Sequence, residues 1–195
     1  MKNIFEVLKA ENYPEIRTVK VSRSETLFRE EDLCVYLGIV QKGQVEIVSY
    51  SFEGKEIIFN VINPNEMFGN NLLFSINPYY KGNVVATVDT ELILINKKTL
   101  LNILQTNSEF LNLYLEHSSN NVIALNAKIK LLSLDNAKER FIYYLYVNGG
   151  NVSFKSVTNL AKELNLSREA LSRLISKLKK DNVIKVTKKK EIILL

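Results

Sequence analysis

Four side chains in the stretch LNLSREALSRLISKLKK, residues 164–180, have the chemistry to read a polar surface: Arg168, Glu169, Ser172 and Arg173. A guanidinium is a planar fork of donors that matches two adjacent acceptors, and a carboxylate accepts from an amino group. Their spacing places them, with Ser176, on one stripe of a helix, while Leu171, Leu174, Ile175 and Leu178 recur on another. The apolar stripe packs, which leaves the polar one available for recognition. A plainer use exists for two of these residues, since Glu169 and Arg173 are four apart and can form a surface ion pair.

The charge distribution narrows what such a face would meet. The net charge is +5, yet residues 151–195 hold eleven Lys/Arg against four Asp/Glu, a local balance of +7, and the rest of the chain is at −2. A segment this basic beside a slightly acidic remainder points to a polyanion.

The elements that must position these residues are legible around them. In SVTNLAKEL, Ser156 is an N-cap ahead of Val157, Leu160, Ala161 and Leu164, which predicts a short amphipathic helix. NLS then supplies a turn, with Asn165 suited to a left-handed backbone and Ser167 capping the next helix. Two short helices joined this tightly form a helix-turn-helix. Beyond them NVIKVTKKKEIILL alternates as a hairpin, a wing with Lys188, Lys189 and Lys190 at its tip.

In that motif the second helix enters the major groove with its N-terminal residues over base edges. Arg168, Glu169, Ser172 and Arg173 are therefore expected to read bases in double-stranded DNA. Ser156, Ser167, Lys177, Lys188, Lys189 and Lys190 are expected on phosphates, where contacts add affinity without sequence information and make binding fall with salt.

Residues 18–96 read as short strands (TVKV, ETLF, VYLGIV, GQVEIVSY, KEIIFNVI, NVVATV, ELILI), with SFEG as a hairpin turn ending at Gly54, so a barrel or sandwich is expected. INPNEMFGNNLLFSINPYYKGN is a longer excursion with a short helix, and NKKTLLNILQTN a helix after the last strand. From Glu109 to about Leu132, Leu111, Leu115, Ser118, Val122, Leu125, Ile129 and Leu132 alternate in steps of four and three, a heptad seam with one polar interruption. A second stripe holds Phe110, Leu113, Tyr114, Ile123, Ala127 and Leu131. One face serves the chain's own domain, and the seam suits the same helix of a second copy; an ordinary buried helix between two domains is the alternative. In SLDNAKERFIYYLYVNGG the candidate N-caps are Ser133 and Asp135, and Gly149-Gly150 is the stop. The domains expected are residues 1–108, a dimerisation helix at 109–134, and residues 135–195.

Composition removes several function classes. Cys34 is the only cysteine and His117 the only histidine, which excludes an intramolecular disulfide, a cysteine-held iron–sulfur cluster and a Cys/His zinc site in one chain. Cys34 is expected as a buried or half-buried structural thiol and His117 as a surface or interface residue. No cofactor and no catalytic residue is identified. The 195 residues are 46% hydrophobic and 24% charged, no run is long enough to cross a bilayer, and MKNIFEVLKAENYPE shows no secretory signal, so a cytoplasmic protein without membrane contact is expected.

Residues 15–195 resemble the Crp/Fnr family of bacterial transcription regulators, most specifically through NLAKELNLSREALSRLISKLKKDNVIKV, with the family's arginine-glutamate pair as Arg168-Glu169 and its later arginine as Arg173. The first half is similar more weakly, through ETLFREED, VYLGIVQKGQVEIV and INPNEMFGNNLLF. The resemblance implies an α+β fold: an N-terminal double-stranded β-roll of jelly-roll or cupin-like form, a long dimerisation helix and a C-terminal winged helix-turn-helix. It also implies a homodimer on a palindromic operator whose half-site has a TGA-like core, with Arg173 on guanine, Glu169 on the cytosine-bearing strand, and RNA polymerase as a partner for an activator.

In cyclic-AMP-binding members a glycine-glutamate pair grips the ribose and an arginine-serine pair the phosphate. Here the matching positions are Asn70 and Tyr80-Lys81, a candidate effector pocket without the carboxylate or the guanidinium fork. Cyclic AMP is not the expected effector, and the β-roll is expected either to bind an unidentified effector or to hold a fixed active pose. The other functions weighed are a cupin-type enzyme, which a single histidine opposes, and a nucleotide-binding-like regulatory module acting on a protein partner.

Overall fold

A computed structural model describes residues 4–9, 13–187 and 189–195. The chain forms two compact units, divided in sequence between Asn120 and Asn121, inside one long helix.

The first unit opens with α1 (Ile4–Lys9), whose Ile4, Phe5, Val7 and Leu8 are buried. Two antiparallel four-stranded sheets follow. One has the order β1 (Arg17–Val21), β8 (Thr90–Asn96), β3 (Tyr36–Lys42), β6 (Met67–Phe68). The other has the order β2 (Thr26–Phe28), β7 (Asn83–Ala86), β4 (Val45–Tyr50), β5 (Glu56–Ile62). Period-two alternation fixes the registers: Leu37 lies opposite Ile95 and Ile39 opposite Ile93 in the first sheet, Val45 opposite Ala86 and Ile47 opposite Val84 in the second. Leu37, Ile39 and Ile95 join Val45, Val84 and Ala86 in one core. This is the double-stranded β-roll of an α+β fold.

Local chemistry explains the joints. Gly54 ends the β4–β5 turn at φ 75°, and its N–H donates to the Ser51 carbonyl at 2.8 Å. Gly38 is required by contact: a Cβ there would lie 2.0 Å from Cζ of Phe68, whose ring packs flat on the strand. The excursion after β5 holds β6 and α2 (Asn70–Leu73), and α3 (Lys97–Thr106) is capped by Asn96, whose side chain accepts from the Thr99 N–H at 2.9 Å. The edge strand β5 leaves Ile57, Ile58, Phe59 and Val61 exposed. Asn107 accepts from the Phe110 N–H at the start of α4 (Ser108–Leu132), and Phe110 and Tyr114 are buried in the β-roll core.

The second unit is a winged helix. It comprises the end of α4, α5 (Ala137–Val147), β9 (Asn151–Ser153), α6 (Val157–Glu163), α7 (Arg168–Lys180), β10 (Ile184–Val186) and β11 (Glu191–Leu194). The strands form an antiparallel sheet of order β10-β11-β9. Leu131, Phe141, Leu145, Leu160, Leu164, Leu171, Leu178, Ile184 and Ile192 make its core.

Three expectations are corrected. The N-cap of α5 is Asn136, accepting from the Lys138 N–H at 2.8 Å, whereas the Ser133 hydroxyl donates back to the Ile129 carbonyl. The second stripe of α4 is not a continuous packing face, because Ile123 is 66% exposed. The wing sheet also has a third strand, β9, too short and polar to stand out in the sequence.

Candidate nucleic-acid interface

Helix α7 owes its position to its apolar stripe. Leu171 and Leu178 are fully buried, and Leu174 and Ile175 pack against the same core. Its start is fixed by Ser167, whose hydroxyl accepts from the Ala170 N–H at 3.1 Å. Glu169 lies in the first turn and Lys177, Lys179 and Lys180 in the last, each complementing the helix dipole. The preceding turn passes through Asn165 at φ 50°, a left-handed conformation that asparagine tolerates.

On the outer side Arg168, Glu169, Ser172 and Arg173 are all exposed and together line one shallow, open groove. The structure thus brings the four expected base readers together. Arg173 donates from Nε to the Glu169 carbonyl at 3.3 Å, and among the described residues no ion pair joins the two side chains. That backbone contact orients the guanidinium while leaving the Glu169 carboxylate free of it. The face combines fork-shaped donors and an anionic acceptor in solvent reach, which is what hydrogen bonding to base edges needs.

The expected phosphate contacts are more dispersed. Ser156 and Ser167 both cap their own helices, Ser156 accepting from the Asn159 N–H at 3.1 Å. Lys177 is exposed on α7. In the wing, Lys189 and Lys190 are exposed, Lys190 at φ 58° with its ammonium donating to the Lys155 carbonyl at 3.3 Å. Lys188 lies outside the described residues.

Along the α4 seam Leu115, Val122, Leu125, Ile129 and Leu132 are 45–57% exposed, a row of large apolar side chains in solvent. Leu111 and Ser118 are half-buried instead. The Ser118 hydroxyl accepts from Asn70 Nδ2 at 3.2 Å, so the polar break in the seam is engaged within its own chain.

The three residues of the expected effector pocket have separate fates. Asn70 opens α2, holding Ser118 through its amide while its carbonyl accepts from the Tyr114 hydroxyl at 3.2 Å. Lys81 is exposed and faces Glu31 at 3.7 Å. Tyr80 is 1% exposed and stacks on Phe28 with centroids 5.0 Å apart, so it is a core residue. Its hydroxyl is buried without a hydrogen bond of normal geometry, and desolvation, reinforced by the neighbouring Cys34 thiol, pushes its pKa up. Burial also raises Cys34, against the opposing influence of the Tyr80 hydroxyl and the Tyr36 backbone. His117 is half-buried on α4, with Nε2 at 3.4 Å from the Met67 backbone. Among the described residues no cluster of His, Cys, Asp and Glu is arranged to hold a metal, and no helix is long and apolar enough to cross a membrane.

Arg140 joins the site only in three dimensions. Its guanidinium donates to the carbonyls of Leu134, at 2.6 and 3.2 Å, Leu164 at 3.1 Å and Asn165 at 3.3 Å. No local signal reveals it, because two of its acceptors lie 24 and 25 residues away.

Fold and site together define a β-roll module followed in the chain by a winged helix-turn-helix whose second helix carries an exposed polar face. The cyclic nucleotide-binding domain family matches residues 18–107, and the Crp-like helix-turn-helix domain family matches residues 131–195. The chain belongs to the Crp/Fnr family and is a transcriptional regulator with a DNA-binding helix-turn-helix. It is 26% identical to the anaerobic regulatory protein of Bacillus subtilis (strain 168) over 186 residues, covering 90% of this chain and 78% of that protein. Its fold is similar to a CooA variant from Carboxydothermus hydrogenoformans (TM-score 0.73, 18% identity, 99% and 91% of the two chains). It is also similar to the c-di-GMP responsive regulator CLP of Xanthomonas campestris (TM-score 0.65, 19% identity, 98% and 97%).

Proposed function

We propose that this regulator is a cytoplasmic, non-enzymatic homodimer that reads a palindromic operator through α7. Arg173 takes guanine, Glu169 the cytosine-bearing strand, and Arg168 and Ser172 further edges, while Ser156, Ser167, Lys177 and Lys188 to Lys190 lie along phosphates. Residues 1–108 act as the sensor, 109–134 join the two copies, and 135–195 bind DNA. The observation that carries this reading is the exposed groove of Arg168, Glu169, Ser172 and Arg173 on a helix whose last turn is lysine-rich. The exposed seam of α4 supports the dimer, since heptad-spaced leucine, valine and isoleucine in water gain most from an identical partner.

Signalling is a population shift: a change in the β-roll alters how the paired helices meet, and so whether two recognition helices fit half-sites about one DNA turn apart. The signal is not cyclic AMP, because Asn70, Tyr80 and Lys81 have neither the chemistry nor the placement to grip it. An activator of this form would contact RNA polymerase in addition.

Selection of bound duplexes from a random pool tests the reading. The expected outcome is a symmetric site with TGA in each half and affinity that falls steeply with salt. Uniform weak binding to all sequences would favour a module that acts on a protein partner. Cyclic AMP in excess is expected to leave the Tm unchanged, where a genuine site filled at a hundred times its Kd would add about 2.7 kcal/mol.

A further inference from the structure

The winged-helix unit contains a connection that shortens the path between two functional points. By sequence, the end of α4 is separated from the start of α7 by α5, β9 and α6. Arg140 crosses that distance with one side chain. Its Nε and Nη2 donate to the carbonyl of Leu134, in the joint between α4 and α5, and its Nη1 donates to the carbonyls of Leu164 and Asn165. Leu164 is the C-cap of α6 and Asn165 the left-handed residue of the turn, so Nη1 holds carbonyls at the helix end that has no following amides to satisfy them.

Both ends of this clasp are anchored independently. On the α4 side Leu131 is buried in the winged-helix core and the Lys130 ammonium lies 4.9 Å above the Tyr143 ring. On the α6 side the Tyr144 hydroxyl donates to Glu163 at 2.6 Å, one turn of α5 beyond Arg140. Only Leu166 and Ser167 separate the clasped Asn165 from Arg168. The guanidinium therefore links the Leu134 joint directly to the turn that leads into α7. The geometry demands arginine, because acceptors on opposite sides need donors that diverge from one rigid plane, and a lysine ammonium is a single point.

We infer that Arg140 is the positioning residue that couples the end of α4 to the start of the recognition helix and so sets how accurately α7 meets base edges. This inference rests on the proposal that α7 reads bases. Arg140 makes no contact with DNA in this scheme; it acts through the turn.

The experiment uses the full chain, the duplex recovered by selection and a shuffled duplex of the same composition. Arg140→Lys is expected to lower the preference for the selected duplex by about tenfold, as loss of charged hydrogen bonds implies. The slope of affinity against salt is expected to stay unchanged, because the lysines are untouched. A folded Arg140→Lys protein with wild-type preference overturns the coupling, whereas a residue of merely structural importance lowers the Tm and leaves the preference intact. In the wild type, side-chain nitrogen NMR is expected to show a slowly exchanging Arg140 Nε–H; rapid exchange overturns the proposal even where the variant fails to fold. Arg173→Ala serves as the separate control: if it leaves the preference intact, base reading by α7 fails, and if only Arg140→Lys does so, the coupling alone fails.

Discussion

The exposed face of α7 and the β-roll positions Asn70, Tyr80 and Lys81 were both legible as candidate sites, and the fold treats them in opposite ways. On α7 the packing stripe is consumed by the core, while Arg168, Glu169, Ser172 and Arg173 stand in solvent around one groove. In the β-roll, Asn70 is spent on Ser118, Lys81 faces Glu31, and Tyr80 is stacked into the core on Phe28. Polar groups whose donors and acceptors are left open by their own fold are available to a partner. Asn70 and Tyr80, engaged within the fold, have become structure, and the exposed Lys81 lacks the planar fork, even though the family resemblance puts all three at a ligand site.

The largest effect is expected where α7 works in pairs. Val122→Asp with Leu125→Asp puts charge into the seam, and gel filtration is expected to show a monomer. Its operator affinity should fall about a hundredfold or more as the second half-site is lost. A dimer that survives both changes would move the interface off α4. Next in size are Glu169→Ala and Arg173→Ala, each expected to cost about 1–3 kcal/mol of discrimination in competition binding, relaxing preference at one base pair and leaving shuffled-duplex affinity nearly unchanged. Lys177→Ala sharpens the distinction between reading and anchoring: affinity should weaken for every sequence alike, and the salt slope should decrease by about one.

The smallest effect belongs to the β-roll. Tyr80→Phe removes a buried hydroxyl that makes no normal hydrogen bond, so thermal denaturation is expected to show equal or greater stability, by up to about 1 kcal/mol. A clear loss of stability would mean that this hydroxyl is bonded inside the core, with the neighbouring Cys34 thiol as its partner.

Recognition of these features from sequence followed their range. Strands such as YLGIVQK and helix caps such as Ser156 and Ser167 declare themselves through period and neighbouring residues, and the structure uses them accordingly. The α7 face was readable for the same reason, since one helix carries all four residues. What stayed hidden depends on distant partners. Tyr80 sits in a stretch that reads as a loop, and its burial is decided by Phe28 and Cys34. Arg140 looks like one more surface cation until α6 is folded beside it. Competing caps are a subtler limit: Ser133, Asp135 and Asn136 all suit an N-terminus, and the path of the chain out of α4 selects Asn136. Helix α1 and strands β6 and β9 are too short for periodicity to speak.

The single cysteine carries a practical consequence. Cys34 is buried at 3% exposure and its thiol is raised by desolvation, so the native chain offers alkylating reagents almost no thiolate. A cysteine introduced on the wing or on the outer side of α7 would then be the one reactive handle per copy. A fluorophore or spin label placed there would report the distance between recognition helices before and after a signal arrives, without first stripping the natural sulfur from the protein.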